Sequence, residues 1–104
     1  MSEPITLSPL PGDPRAWALS GELDVDTAPR FSRTLLESLQ ASSGGRVQLR
    51  CGELSFIDST GLLALLQLTQ VAAEHGVDLK IVEPSRQMRR LLQLTGTDRL
   101  LLDA

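Results

Sequence analysis

The sequence predicts an α/β domain: a mixed β-sheet with an N-terminal hairpin and about three packed helices, in the order β-β-α-β-α-β-α-β. Three observations predict it. Strand-like and helix-like runs alternate from residue 46 onward, which calls for right-handed crossovers and parallel pairing. A PGDP turn at 11–14 separates two strand-like segments, which calls for an antiparallel hairpin. Hydrophobic residues make up 41% of the chain but aromatics only 3%, so a core is available and must be built mostly of leucine, valine, isoleucine and alanine. At 104 residues the chain fits one compact domain, residues 1–104.

The elements follow in order. ITLSPL can form a short strand, and RAWALSG (15–21) a second, completing a hairpin over residues 5–20. GELDVDTAPRF turns into a helix. Asp26 or Thr27 can be its N-cap, and Pro29 fits the first turn, where amide hydrogens lack helical partners. Ala28, Phe31, Leu35 and Leu39 recur at helical spacing and form its buried stripe. SSGG (42–45) ends it. RVQLRC (46–51) alternates, with Val47, Leu49 and Cys51 on one face and Arg46, Gln48 and Arg50 on the other. A short link, GELS, leads to FID. A helix from about Thr60 to His75 closes at Gly76. It is apolar around most of its circumference near its start, so much of it is buried. VDLKIV (77–82) is a strand. PSRQMRRLLQLTG (84–96) is a third helix, with Met88, Leu91 and Leu92 inward and Gly96 closing it. DRLLLD gives a last short strand or tail.

Composition excludes several classes of function. The net charge is −3, which argues against a binder of phosphate backbones. A single cysteine, Cys51, allows no internal disulfide. With one histidine, His75, distant in sequence, it makes no recognisable zinc site. MSEPITLSPLPGD has no basic segment followed by an apolar one, unlike a signal peptide. The run Leu62 to Leu66 is too short to span a bilayer. The expected location is the cytosol, with no membrane insertion and no cofactor.

The segment that calls for explanation is FIDSTGLLALLQL (56–68). A core strand becomes a core helix through Asp58, Ser59, Thr60 and Gly61. Asp58 or Ser59 can cap the helix, and Gly61 lets backbones approach closely. The place also suits function. A serine at the start of a helix, at the C-terminal end of a parallel strand, lies where ligands and partners dock. The helix dipole tolerates added negative charge there, so a phosphate on Ser59 would change the surface without unfolding the domain. Leu62 and Leu63 point about 100° apart, so both cannot be equally deep. One of them lies at the surface beside Ser59, and the pair belongs either to a broad buried face or to an apolar docking patch next to that serine.

Enzymatic readings fare poorly. Asp58, Ser59 and His75 are triad residue types, but His75 falls about 22 Å along the helix from Thr60. A base must reach its serine within about 3 Å. There is no nucleophile-elbow motif and no phosphate-binding glycine loop. The Arg86, Arg89 and Arg90 cluster is a solvated face of the third helix or a contact for an acidic partner.

GELD (21–24) with TA (27, 28), ELSFIDSTGL (53–62) and MRRLLQLTGTDRLL (88–101) together resemble the STAS domain, in particular the bacterial anti-sigma factor antagonists. The resemblance covers residues 15–101 and implies a STAS-like fold over 1–104 and a non-enzymatic partner-switching role. It implies that an anti-sigma factor kinase phosphorylates Ser59. The unphosphorylated form binds that kinase and releases a sigma factor; phosphorylation blocks binding, and a phosphatase restores it. On the same basis Asp58 supports recognition, Thr60 is the neighbouring hydroxyl, and Glu22 and Asp24 lie in a loop near the phosphosite. Glu22, Asp24, Asp58, Ser59, Thr60, Gly61, Leu62 and Leu63 form the partner-binding set. Many antagonists carry glycine where Leu63 stands, and a bulkier residue could narrow the choice of kinase. The resemblance also admits a second reading, an accessory STAS subunit of an ABC-type lipid transporter that binds its ATPase subunit. LLALLQL is somewhat similar to that subunit.

Overall fold

A computed structural model describes residues 4–40 and 44–102. Strands β1 (Thr6–Leu10) and β2 (Asp13–Leu23) form the antiparallel hairpin, with Leu7 opposite Leu19. Helix α1 (Ala28–Gln40) crosses to β3 (Gly45–Ile57), which lies parallel to β2. Helix α2 (Ser59–Glu74) crosses to β4 (Val77–Val82), parallel to β3. Helix α3 (Arg86–Thr95) and a single turn, α4 (Asp98–Leu101), complete the described chain. The sheet order is β1-β2-β3-β4. The mixed α/β sheet and its N-terminal hairpin are as the sequence predicts.

One face of the sheet carries the core. Leu19, Leu49, Leu79 and Ile81 are buried on it, beneath Phe31, Leu35 and Leu39 of α1, Leu65, Leu68 and Ala72 of α2, and Met88 and Leu92 of α3. The helical spacing of these residues is what directs each helix onto the sheet. The other face is more polar. Arg46 pairs with Asp78 at 3.5 Å and Arg50 with Glu83, all of them exposed, so these pairs add little to stability. Gly21 shows how tightly the hairpin is covered. A Cβ there would lie 2.0 Å from the Pro4 carbonyl oxygen, and its φ is +99°. Only glycine fits both conditions.

Two elements differ from expectation. The GELS segment is part of β3, not a link. Ala16–Leu23 of β2 pairs with the longer stretch Gln48–Ile57 of β3, with register shifts at two places. The extra residues sit on β3, so its inward positions run Val47, Leu49, Cys51, then Leu54, then Ile57. The spacing passes from two to three, which breaks the alternation by which a strand is read. Ser55, at the second shift, donates its hydroxyl to the Gly21 carbonyl at 3.0 Å. The last element also differs. Instead of a strand over 98–103, the chain makes α4: Leu101 N–H donates to the Thr97 carbonyl and Leu102 N–H to the Asp98 carbonyl. That turn buries Leu101, and Leu102 forms a parallel bridge with Ile81. Asp103 lies outside the described residues, as do Ser42 and Ser43 of the expected SSGG loop.

Candidate functional site

The strand-to-helix corner is built from Asp58. Its backbone is extended, and its carboxylate accepts from the Gly61 N–H at 2.9 Å, which makes it the N-cap of α2. Of the two caps the sequence allows, the aspartate fills the role. Ser59 therefore stands at the first helical position, exposed, and its hydroxyl makes no hydrogen bond among the described residues. Thr60 is exposed beside it.

The corner is fixed to the end of β2. Asp58 N–H donates to the Leu23 carbonyl at 3.3 Å. A Cβ on Gly61 would fall 2.4 Å from the same carbonyl oxygen and 2.8 Å from the Leu23 side chain. Glycine is thus what allows α2 to start against β2. On the far side, Gln87 of α3 clamps the strand end. Its side-chain carbonyl accepts from Ile57 N–H at 2.9 Å, and its amide donates to the Ile57 carbonyl at 3.2 Å. Strand β4 pairs with β3 only from Gly45 to Arg50, so at Ile57 a side-chain amide takes the place of a neighbouring strand.

The loop after β2 is held by its own side chains. The Asp24 carboxylate accepts from the N–H groups of Asp26 and Thr27 at 3.0 and 3.1 Å. Thr27 donates its hydroxyl to the Glu22 carbonyl at 2.6 Å and accepts from Asp24 N–H at 3.0 Å. Thr27 stands just before α1, and its carbonyl accepts the first helical bond, from Phe31 N–H. Of the two N-cap positions open in the sequence, Thr27 is the one occupied, although its hydroxyl turns back to the loop.

The predicted site residues therefore divide into two groups. Ser59, Thr60 and Leu63 are exposed, with Leu63 54% accessible, while Glu22 and Asp58 are half-buried. Asp24, Gly61 and Leu62 are buried and hold the frame. Leu63 is the leucine at the surface, one turn beyond Ser59 on the same side of α2. With Val25, 64% accessible, it flanks an open groove between α1 and α2 that includes Ala28, Pro29, Thr60 and Ala64. Val25 escaped the sequence reading, although an apolar residue between Asp24 and Asp26 in an exposed turn was a usable signal. Gln87 carried no such signal.

His75 caps the opposite end of α2, where its ring donates from Nδ1 to the Val71 carbonyl at 2.9 Å. Sixteen helical residues separate it from Asp58. That distance is about 24 Å, so the three triad residue types do not meet. Cys51 is fully buried and its thiol is pushed up to about 12 by burial, leaving it unreactive near neutral pH. Among the described residues there is no cluster suited to a metal, and no helix is long and apolar enough to cross a membrane.

Comparison with known proteins gives this arrangement a context. A family model described as "Mlab, STAS domain" matches residues 10–103. The Anti-sigma-B factor antagonist of Bacillus subtilis (strain 168) is 30% identical over 78 residues, covering 75% of this chain and 70% of that protein. Among solved structures, the anti-sigma factor antagonist SpoIIAA in its unphosphorylated form has the same fold. Its TM-score is 0.67 at 20% identity, over 96% of this chain and 87% of that one. The murine anion transporter Slc26a9 contains the fold too, with a TM-score of 0.68 at 17% identity over 82% of this chain, but only 14% of the transporter. The extent of the family match and the identity to the Bacillus protein lead to one assignment: the chain belongs to the STAS domain family and is similar to bacterial anti-sigma factor antagonists.

Proposed function

We propose that the chain is an anti-sigma factor antagonist that acts by partner switching, with Ser59 as the switch. The observation that carries this is the division of labour at the corner: Asp58 caps α2, so the exposed Ser59 hydroxyl is free for chemistry. Unphosphorylated, the face formed by Ser59, Thr60, Leu63 and the half-buried Glu22 and Asp58 binds an anti-sigma factor kinase, and a sigma factor is released. Phosphorylation adds a charge of about −1.5 to −2 beside Asp58 and above the Val25–Leu63 groove. Burying that charge against an apolar partner is costly, and a loss of about 3 kcal/mol already lowers affinity more than a hundredfold. No conformational change is needed. A phosphatase resets the switch, and neither nucleic acid nor a cofactor takes part. The buried Asp24, Gly61 and Leu62 serve the site by shaping it. A cytosolic setting suits such an exchange of protein partners.

The test is phosphotransfer. Incubated with its cognate anti-sigma kinase and ATP, the protein should gain one phosphate, and Ser59→Ala should gain none. Ser59→Asp should weaken kinase binding with the circular dichroism spectrum unchanged. Phosphate incorporation that survives Ser59→Ala would refute the assignment of the site. The transporter-subunit reading uses the same fold with a permanent partner. The same fold occurs within an anion transporter chain, a likeness at 17% identity that shows the fold alone. Stable co-purification with an ATP-binding cassette subunit, with Ser59 unmodified, would favour it.

A further inference from the structure

We propose that the outer face of α3 is a second docking surface, directed at anionic lipid headgroups. Arg86, Arg90 and Leu94 follow at intervals of four residues, so they form one stripe along the helix. All three are exposed, Leu94 at 75%, the highest value of any large apolar residue described. Arg89 is exposed beside the stripe. Beyond the turn at Gly96 the pattern recurs as exposed Arg99 and Leu100, the latter 61% accessible. The inward side of α3, with Met88 and Leu92, is fully engaged in the core, so this outer face is what the helix offers.

Charge supports the choice of partner. Four of the ten basic residues lie between positions 86 and 100, against one acid, Asp98, in a chain whose net charge is −3. Arg46, Arg50 and Lys80 elsewhere form ion pairs. Arg86, Arg89, Arg90 and Arg99 form none among the described residues, and α3 itself contains no carboxylate. A positive stripe such as that of Arg86, Arg89 and Arg90 attracts an anionic surface at short range even on an acidic protein, because charges on the rest of the molecule are screened beyond a Debye length of about 8 Å. The leucines decide between kinds of anionic surface. Each stands next to an arginine in the chain or one turn away. A bilayer interface accepts both groups, holding guanidinium at the headgroups and apolar side chains at the acyl boundary. Binding would be peripheral, reversible and weak, since each basic residue near such a surface contributes only about a fivefold gain in partition.

The experiment is co-sedimentation of the full chain with vesicles of phosphatidylcholine alone and of equal parts phosphatidylcholine and phosphatidylglycerol, in low and high salt. The expected result is sedimentation with the anionic vesicles only, reduced about tenfold in high salt. Arg86→Gln and Arg90→Gln should each lower partition about fivefold, and Leu94→Gln should lower it with no change in salt dependence. All three positions are exposed, so the variants should fold, which circular dichroism verifies. Equal sedimentation with both vesicle types, none with either, or binding unchanged in the arginine variants would overturn the proposal. Ser59→Asp should bind vesicles like the parent, which separates this face from the switch.

Discussion

Gly61 lies so close to Leu23 that a Cβ on the glycine would fall 2.4 Å from the Leu23 carbonyl oxygen. That carbonyl also accepts from Asp58 N–H. The end of β2 thereby sets the starting point of α2, and the exposed serine is presented by a contact between two buried residues. Gly61→Ala must push the helix away. The expected cost is about 1–3 kcal/mol, as for other overpacked sites. Urea denaturation should show it as a lower midpoint with an unchanged slope.

Asp58 and Ser59 are neighbours with opposite tasks, and substitution should separate them. Asp58→Ala removes the cap on Gly61 N–H and should cost about 1 kcal/mol. Ser59→Ala should change stability by no more than about 0.5 kcal/mol. Thermal melts of the two variants measure the difference. Equal losses would mean that the serine hydroxyl supports the fold after all.

Gln87 should matter more than a polar side chain on a helix surface usually does. Gln87→Leu leaves the Ile57 N–H and carbonyl without their side-chain partners. An unpaired, partly buried backbone group costs about 1–3 kcal/mol. Native-state hydrogen exchange should register the change as faster exchange at Ile57, with little effect at Leu49, where β4 supplies the pairing.

Cys51 gives a prediction in pH. Its thiol titrates near 9.0 in the unfolded chain but near 12 when folded, because burial disfavours the thiolate. Above pH 9 the unfolded state loses this proton and the folded state keeps it, so the contribution to stability is full below pH 9 and falls toward pH 12. At 1.36 kcal/mol per pH unit the total is about 4 kcal/mol. Cys51→Ala should show a shallower decline over that window than the parent. A thiol reagent at pH 8 should react only with the unfolded protein.

The sequence by itself determined what local interactions determine. Helix ends were legible because caps and terminating glycines act within a few residues: a cap at Asp58 or Ser59 was expected to open α2, and Gly96 to close α3. The buried stripe of α1 was legible because Ala28, Phe31, Leu35 and Leu39 share a helical period. The hairpin followed from its turn, and the parallel order from alternation of strand and helix. The strand-to-helix corner at Asp58 and Ser59 was legible too, since a small polar cluster stands out between apolar runs.

Tertiary structure decided the rest. Two register shifts in β3 turned an apparent link into strand, because the partner β2, not the local pattern, sets which residues face inward. A turn that buries Leu101 displaced the expected final strand. The fold also chose Leu62 for the core and Leu63 for the surface, and made Asp24 a buried anchor of its loop. The contacts of Leu23 with Gly61 and of Ile57 with Gln87 join residues about 30 or more positions apart. Hydrogen bonds and close packing depend on distance in space, and no periodicity or propensity encodes which distant residue the folded chain will bring there.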